Sequence, residues 1–192
     1  WKSPAGMDPV SGRATFPRLN VYGASVRGTV LGGIGNAEVG YYESREDRNG
    51  DDPLTTNSEV RLLVGYEREL SRIARDLTVG TQYYVEILQD YAAYRRSLRA
   101  LPTAPEPRDE FRHVVTLRVT KLLMNQNLEL SLFTFYSPSD SDAYLRPRVK
   151  YKIDDHWTVE AGGNVFFGAH DHTFFAQFRN NTSVYTALRY GF

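Results

Sequence analysis

The 192-residue chain has no cysteine. That excludes disulfide staples, thiolate metal sites and a cysteine nucleophile, and it is compatible with a periplasmic or outer-membrane location. Net charge is also lacking: Lys+Arg and Asp+Glu are both 23, so no overall field draws the chain to nucleic acid or to an anionic membrane surface. No run of about 18 apolar residues occurs, which excludes a transmembrane helix. It does not exclude a transmembrane barrel, whose strands need only about 10 residues each and turn half of them to a polar lumen. Trp1 follows no basic segment and precedes no apolar one, so the chain reads as mature, processed or incomplete.

What the sequence has instead is alternation. Residues 19–30, 36–44, 58–70, 76–89, 112–123, 127–136, 142–153, 157–168 and 182–192 all read at period two, each close to the length that a tilted strand needs to cross a bilayer. In 58–70, Val60, Leu62, Val64 and Tyr66 share one face and Glu59, Arg61, Gly65 and Glu67 the other, with Leu63 the exception. In 142–153, Leu145, Val149 and Tyr151 oppose Tyr144, Arg146, Arg148, Lys150 and Lys152. The stretch from Tyr83 to Leu101 is ambiguous, because Tyr84, Ile87, Leu88, Tyr91, Tyr94 and Leu98 also recur at helical spacing. It is expected as strand to Gln89 and loop beyond.

The connections alternate in size: 31–35, 71–75, 124–126 and 154–156 read as short, 45–57, 90–111 and 169–181 as long, and 137–141 as medium. A soluble sandwich has no reason to do this. Outer-membrane barrels do, with short periplasmic turns and longer outside loops. Trp157, Tyr151, Tyr190 and Phe192 then belong to a periplasmic aromatic girdle, and Tyr41, Tyr136 and Phe167 to an outer one. The competing reading is a soluble all-β barrel or sandwich with its apolar face inward. The polar face argues against it, since it mixes Arg, Glu, Gly, Ser and Asn with few large hydrophobes and suits water better than a core.

The last segment ends on Tyr190-Gly191-Phe192 after apolar residues at every second position. This resembles the C-terminal signal of outer-membrane barrels that the barrel-assembly machinery reads, with Tyr190 and Phe192 as the signal residues. Five further stretches, 16–25 (FPRLNVYGAS), 40–45 (GYYESR), 62–69 (LLVGYERE), 122–127 (LLMNQN) and 171–175 (DHTFF), resemble a group of uncharacterised porin-like outer-membrane proteins of Gram-negative bacteria. The resemblance implies the C-terminal part of a larger barrel and attaches no reaction, substrate or cofactor to any residue.

The expected fold is therefore all-β: an antiparallel transmembrane β-barrel of outer-membrane type, with 1–192 as a single domain and the C-terminus periplasmic. Nine visible strands is odd where single-chain bacterial barrels are even. Trp1 is expected at the top of an earlier strand, and residues 2–18 as the outside loop after it. A barrel of ten strands and a larger one both remain open. The expected partners are the bilayer with its lipopolysaccharide, the assembly machinery, and a second copy or an outer-membrane partner protein.

On the polar face the densest feature is Arg146, Arg148, Lys150 and Lys152, four cations at every second position, with Glu129 and Glu160 expected on adjacent strands. It reads either as a cross-strand ion-pair network or as a strip that favours anions. The other expected lumen charges are Arg27, Arg61, Arg118 and Arg189, with Glu38, Glu59, Glu67 and Glu86. The function read from this is a porin-like channel for passive diffusion of small solutes or ions, without cofactor or metal, and not an enzyme. The alternatives are a non-conducting structural or partner-binding barrel, and an outer-membrane hydrolase drawing on Ser137, Ser139, Ser141, His170, Asp171 and His172. His170-Asp171-His172 also invites a metal, but lacks an evident third ligand. Asp47-Arg48-Asn49-Gly50-Asp51-Asp52 resembles a calcium loop, although its glycine is misplaced for an EF-hand and its late bidentate glutamate is missing.

Overall fold

The computed structural model describes residues 6–8, 10–102 and 106–192. Among them are strands β1 (Gly6–Met7), β2 (Ala14–Thr15), β3 (Leu19–Val30), β4 (Gly33–Ser44), β5 (Glu59–Glu69), β6 (Leu77–Leu88), β7 (Phe111–Leu123), β8 (Leu128–Ser137), β9 (Asp142–Lys152), β10 (Trp157–Gly168) and β11 (Ser183–Tyr190). A helix α1 (Tyr91–Arg99) and a 3-10 helix (Ala176–Asn181) complete the fold. β3 to β11 form one nine-stranded antiparallel sheet in which each strand lies beside its sequence neighbours. β3 and β11 are the ends of that order, and no pairing joins them among the described residues. Among the described residues no helix is long and apolar enough to cross a membrane.

The described residues divide into two compact units. One comprises those of Trp1–Val26, Ala37–Leu63 and Tyr84–Arg112, the other Arg27–Asn36, Val64–Tyr83 and His113–Phe192.

All nine alternating segments are strands. The expected alternation of connection sizes holds only in part: 45–58, 89–110 and 169–182 are long, but 138–141 is as short as 124–127 and 153–156, because β8 and β9 extend to Ser137 and Asp142 and close a tight turn. Four local differences have physical causes. β4 begins at Gly33 rather than Asn36, because Leu31 and Gly32 close the hairpin alone: both take positive φ, 48° and 76°, the backbone of a two-residue turn that suits strand twist. Residues 91–99 are helix rather than loop. There the helical spacing wins, with Leu98 buried, Arg95 over the Tyr91 ring one turn away, and Arg96 and Arg99 in the last turn where the helix dipole favours cations. The 169–181 connection contains the 3-10 helix. Within 2–18, expected as plain loop, β1 and β2 pair as a small separate hairpin; the place expected for Trp1 lies outside the described residues.

The sheet carries its solvent exposure on the apolar side. Val184 and Leu188 are 85% and 63% exposed, whereas Glu59, Thr116, Ser137 and Glu160 are buried. The hydrophobic residues that are buried are few, namely Val85, Leu88, Leu98, Val114, Phe175 and Ala176. A water-soluble sheet has the opposite arrangement. The apolar face of β7 to β11 is continuous across the strands: Leu123, Leu128, Tyr151, Val159 and Leu188 align in one row, and Val115, Tyr136, Ala143 and Phe167 in another. The ladder between β9 and β10 skips Arg146 and Pro147, since proline has no N–H to give.

Candidate functional site

The polar face of β7 to β11 is built in rows by the strand registers. Nearest the 138–141 and 169–182 connections lie Ser137, Asp142 and Gly168, and next to them Thr116, Phe135, Tyr144 and Phe166. The next row is Arg118, Phe133 and Arg146. Below it come Thr120, Ser131, Arg148, Gly162 and Tyr185, then Leu122, Glu129, Lys150, Glu160 and Ala187. Lys152, Thr158 and Arg189 finish the series beside the short turns. One surface thus passes from aromatic to cationic, to hydroxyl-bearing, to mixed charge.

The cationic strip expected from the sequence is present, but its members differ in pairing. Arg148 is ion-paired with Glu129 and its Nε donates to Ser131 Oγ at 3.3 Å. Arg189 lies 3.5 Å from Glu160, which also accepts from Tyr185 Oη at 3.1 Å. Lys152 pairs with Asp155 in the adjacent turn at 2.7 Å. Lys150 stands in register between Glu129 and Glu160. Arg118 lies over the Phe133 ring, 5.2 Å from its centroid, and among the described residues neither Arg118 nor Arg146 has a carboxylate partner. Arg118, Phe133, Arg146, Arg148, Ser131 and Glu129 border an open depression of about 380 Å³. Gly162 leaves room for Tyr185 to lie across the strand: a Cβ there would come within 2.6 Å of the tyrosine hydroxyl.

The 169–182 connection packs onto the aromatic row. Phe175 is buried and its N–H donates to Asp142 Oδ2 at 2.7 Å. Its ring lies 5.5 Å from Phe135 and 5.9 Å from Tyr144, while Phe178 lies 5.7 Å from Phe166. Ala176 sits against Gly168 so closely that no side chain fits at that glycine. Sequence reading missed this arrangement because Thr173 to Phe178 has no periodicity; Phe133 and Phe135, large rings on an otherwise polar face, were the available signal.

In the other unit the polar-face charges Glu59 and Arg61 are joined by three residues. Arg61 pairs with Glu59 and lies 3.7 Å from Glu86; Arg108 reaches Glu59 at 3.1 Å and Glu86 at 3.9 Å; Arg112 reaches Glu86 at 3.4 Å. Tyr84 donates to Glu86 at 2.9 Å, and Arg61 stacks over Tyr42 at 4.2 Å. Arg108 comes from the 100–110 connection, whose course has no sequence pattern to reveal it.

Three other candidates from the sequence make the following contacts. His170 and His172 stack at 5.7 Å, and Asp171 pairs with Arg179 at 2.9 Å. No group of three or more acidic or histidine side chains suited to a metal occurs among the described residues. Ser137 is fully buried, its Oγ 3.0 Å from both His113 O and Asp140 Oδ2, and Ser139 Oγ accepts from the His113 backbone N–H at 3.0 Å. Asp47 is buried, accepts the Asp51 N–H at 3.0 Å through Oδ1, and leaves Oδ2 without a partner. Burial pushes its carboxyl above the usual range, with repulsion from Asp51 and Asp52 adding to the rise.

Compared with known proteins, the chain matches no family model, no curated protein and no solved structure.

Proposed function

We propose that the chain is part of an antiparallel transmembrane β-barrel of the bacterial outer membrane and serves as a porin-like channel for passive diffusion of small solutes. The observation that carries this reading is the inverted sheet, with apolar residues such as Val184 and Leu188 exposed and polar ones such as Glu59, Thr116, Ser137 and Glu160 buried. An apolar face of that extent needs a cover, and lipid acyl chains supply one without a partner surface. Its aromatic rows fit such a cover. Trp157 and Phe167, on the same face of β10, are ten residues apart, about 33 Å along a strand. At the tilt of about 40° usual in outer-membrane strands this projects to about 25 Å, the height of the apolar band of such barrels. The ends of the order, β3 and β11, then pair with each other or with strands outside the chain, so that no edge is left in hydrocarbon. The mechanism is passive: a wall of fixed mixed charges and hydroxyls replaces bulk water, and its narrowest point sets what passes.

A second reading, a non-conducting barrel that binds a partner or stiffens the membrane, is favoured by one observation: the buried Phe175 and the rings around it lie on the polar face. Conductance of the purified full-length protein in a planar bilayer, under a salt gradient, decides between them. Stable open steps support the channel. Their absence, from protein demonstrably folded and inserted, overturns it in favour of the non-conducting barrel.

A further inference from the structure

We propose that the row Arg118–Phe133–Arg146, roofed by the aromatic row above it, binds small carboxylates that carry a flat apolar group. The inference rests on the channel reading, in that it names the solute class which the polar face would take up.

The wall carries charge that its own acids do not neutralise. Of the cations on this part of the wall, Arg148, Lys152 and Arg189 are matched by Glu129, Asp155 and Glu160. Among the described residues Arg118, Arg146 and Lys150 have no ion pair, but Lys150 stands in register between Glu129 and Glu160, whereas Arg118 and Arg146 have no acid beside them in their row and lie on either side of Phe133. Two guanidinium groups flanking one ring suit a carboxylate, which each can engage through a planar fork. Stacking of Arg118 over Phe133 at 5.2 Å limits its rotation and lowers the ordering cost of that contact.

The apolar half of the ligand is specified by the neighbouring row. Phe133 and Phe135 meet edge to face at 4.8 Å, and Phe135 and Tyr144 stack at 6.2 Å. A flat hydrocarbon group held by its carboxylate at the arginine row meets Phe133, which borders the depression and is backed by these rings. A compact, strongly hydrated anion such as phosphate gains nothing from them. The depression of about 380 Å³ is within the size range of small-ligand sites, and Ser131 and Thr120 supply hydroxyls at its lower edge.

The test is calorimetric titration of the folded, detergent-solubilised full-length protein with benzoate, acetate and inorganic phosphate. Expected is binding of benzoate at least about 10-fold tighter than acetate or phosphate, because one aromatic contact is worth about 0.5–1.5 kcal/mol beyond its area burial. Arg118→Gln and Arg146→Gln should each weaken benzoate about 10-fold or more, the fold-change of a lost charge-assisted hydrogen bond. Phe133→Leu should weaken benzoate while leaving acetate unchanged. Phosphate binding as tightly as benzoate, or no binding of any probe, overturns the proposal; the wild-type comparison needs no variant to fold. Planar-bilayer recordings on the same preparation separate the two readings. Open steps without benzoate binding overturn this proposal alone, and benzoate binding without open steps overturns the channel while the site stands.

Discussion

Placing one arginine at different depths of the apolar face tests the lipid-facing assignment directly. Leu132 shares its row with Val119 and Pro147. It lies four residues from Leu128 and four from Tyr136, about 13 Å along the strand in each direction. At a tilt of about 40° it sits about 10 Å from either end of this apolar stretch, close to the bilayer midplane. Leu132→Arg should then cost about 2–4 kcal/mol, or about 30- to 700-fold in the folding equilibrium, whereas Leu128→Arg and Tyr136→Arg should cost about 0–1 kcal/mol. The assay is equilibrium unfolding by urea in phospholipid vesicles, followed through tryptophan fluorescence. A single maximum at Leu132 is the signature of hydrocarbon. Equal costs at all three positions, or a larger cost at an end, would refute the assignment, because a face bordered by water or by another protein has no midplane.

Three further outcomes are expected. Asp142→Ala removes the acceptor of the Phe175 N–H and should speed chymotryptic cleavage at Phe174, Phe175 or Phe178, with a stability loss of about 1–2 kcal/mol; an unchanged cleavage rate would mean that ring packing alone holds the segment. Glu86→Gln leaves Arg61, Arg108 and Arg112 facing one carboxylate fewer and should cost about 1–3 kcal/mol in urea unfolding, an idea abandoned if the urea midpoint does not move. Asp47 and Asp154 should act oppositely with pH. The raised value of buried Asp47 contributes stability that is full below its unfolded pKa of 3.8 and is lost as pH rises through the folded value, a slope that Asp47→Asn removes. Asp154, held low by the N–H groups of Trp157 and then His156, contributes stability above 3.8 that is lost as pH falls through its lower folded value. Wild type and Asp47→Asn with parallel stability curves from pH 4 to 7 would count against the Asp47 part.

The strands were legible because their two faces obey different chemistry at every second residue, so a single row such as Leu128, Leu130 and Leu132 announces both element and orientation. The turn at Leu31-Gly32 was read too long because leucine seldom takes positive φ, and only the pairing of its flanking strands fixes it there. Helix α1 was hidden by overlap: Tyr84, Ile87 and Leu88 belong to a strand yet continue the helical spacing of Tyr91, Tyr94 and Leu98. At the candidate site the cationic strip was legible by position but its charge balance was not. Whether Arg148 is spent or Arg146 is free depends on cross-strand register, which periodicity cannot supply, and Phe175 and Arg108 arrive from connections without any period.

Pro147 gives the sheet a seam. The β10–β11 hairpin is fastened to β9 by two runs of pairing, Thr158 to Gly162 and Val165 to Gly168, and the gap between them is crossed by the Tyr144 hydroxyl, which donates to Asn164 Oδ1 at 2.7 Å. A ladder interrupted at its centre does not have to unzip from an end. Each run can open on its own, while Gly163 and Asn164 stay paired with Val184 and Ser183 of β11, so the weak line lies on the β9 side alone. That weak line adjoins Arg146, which ties the give of the sheet to the row where the unmatched charge lies.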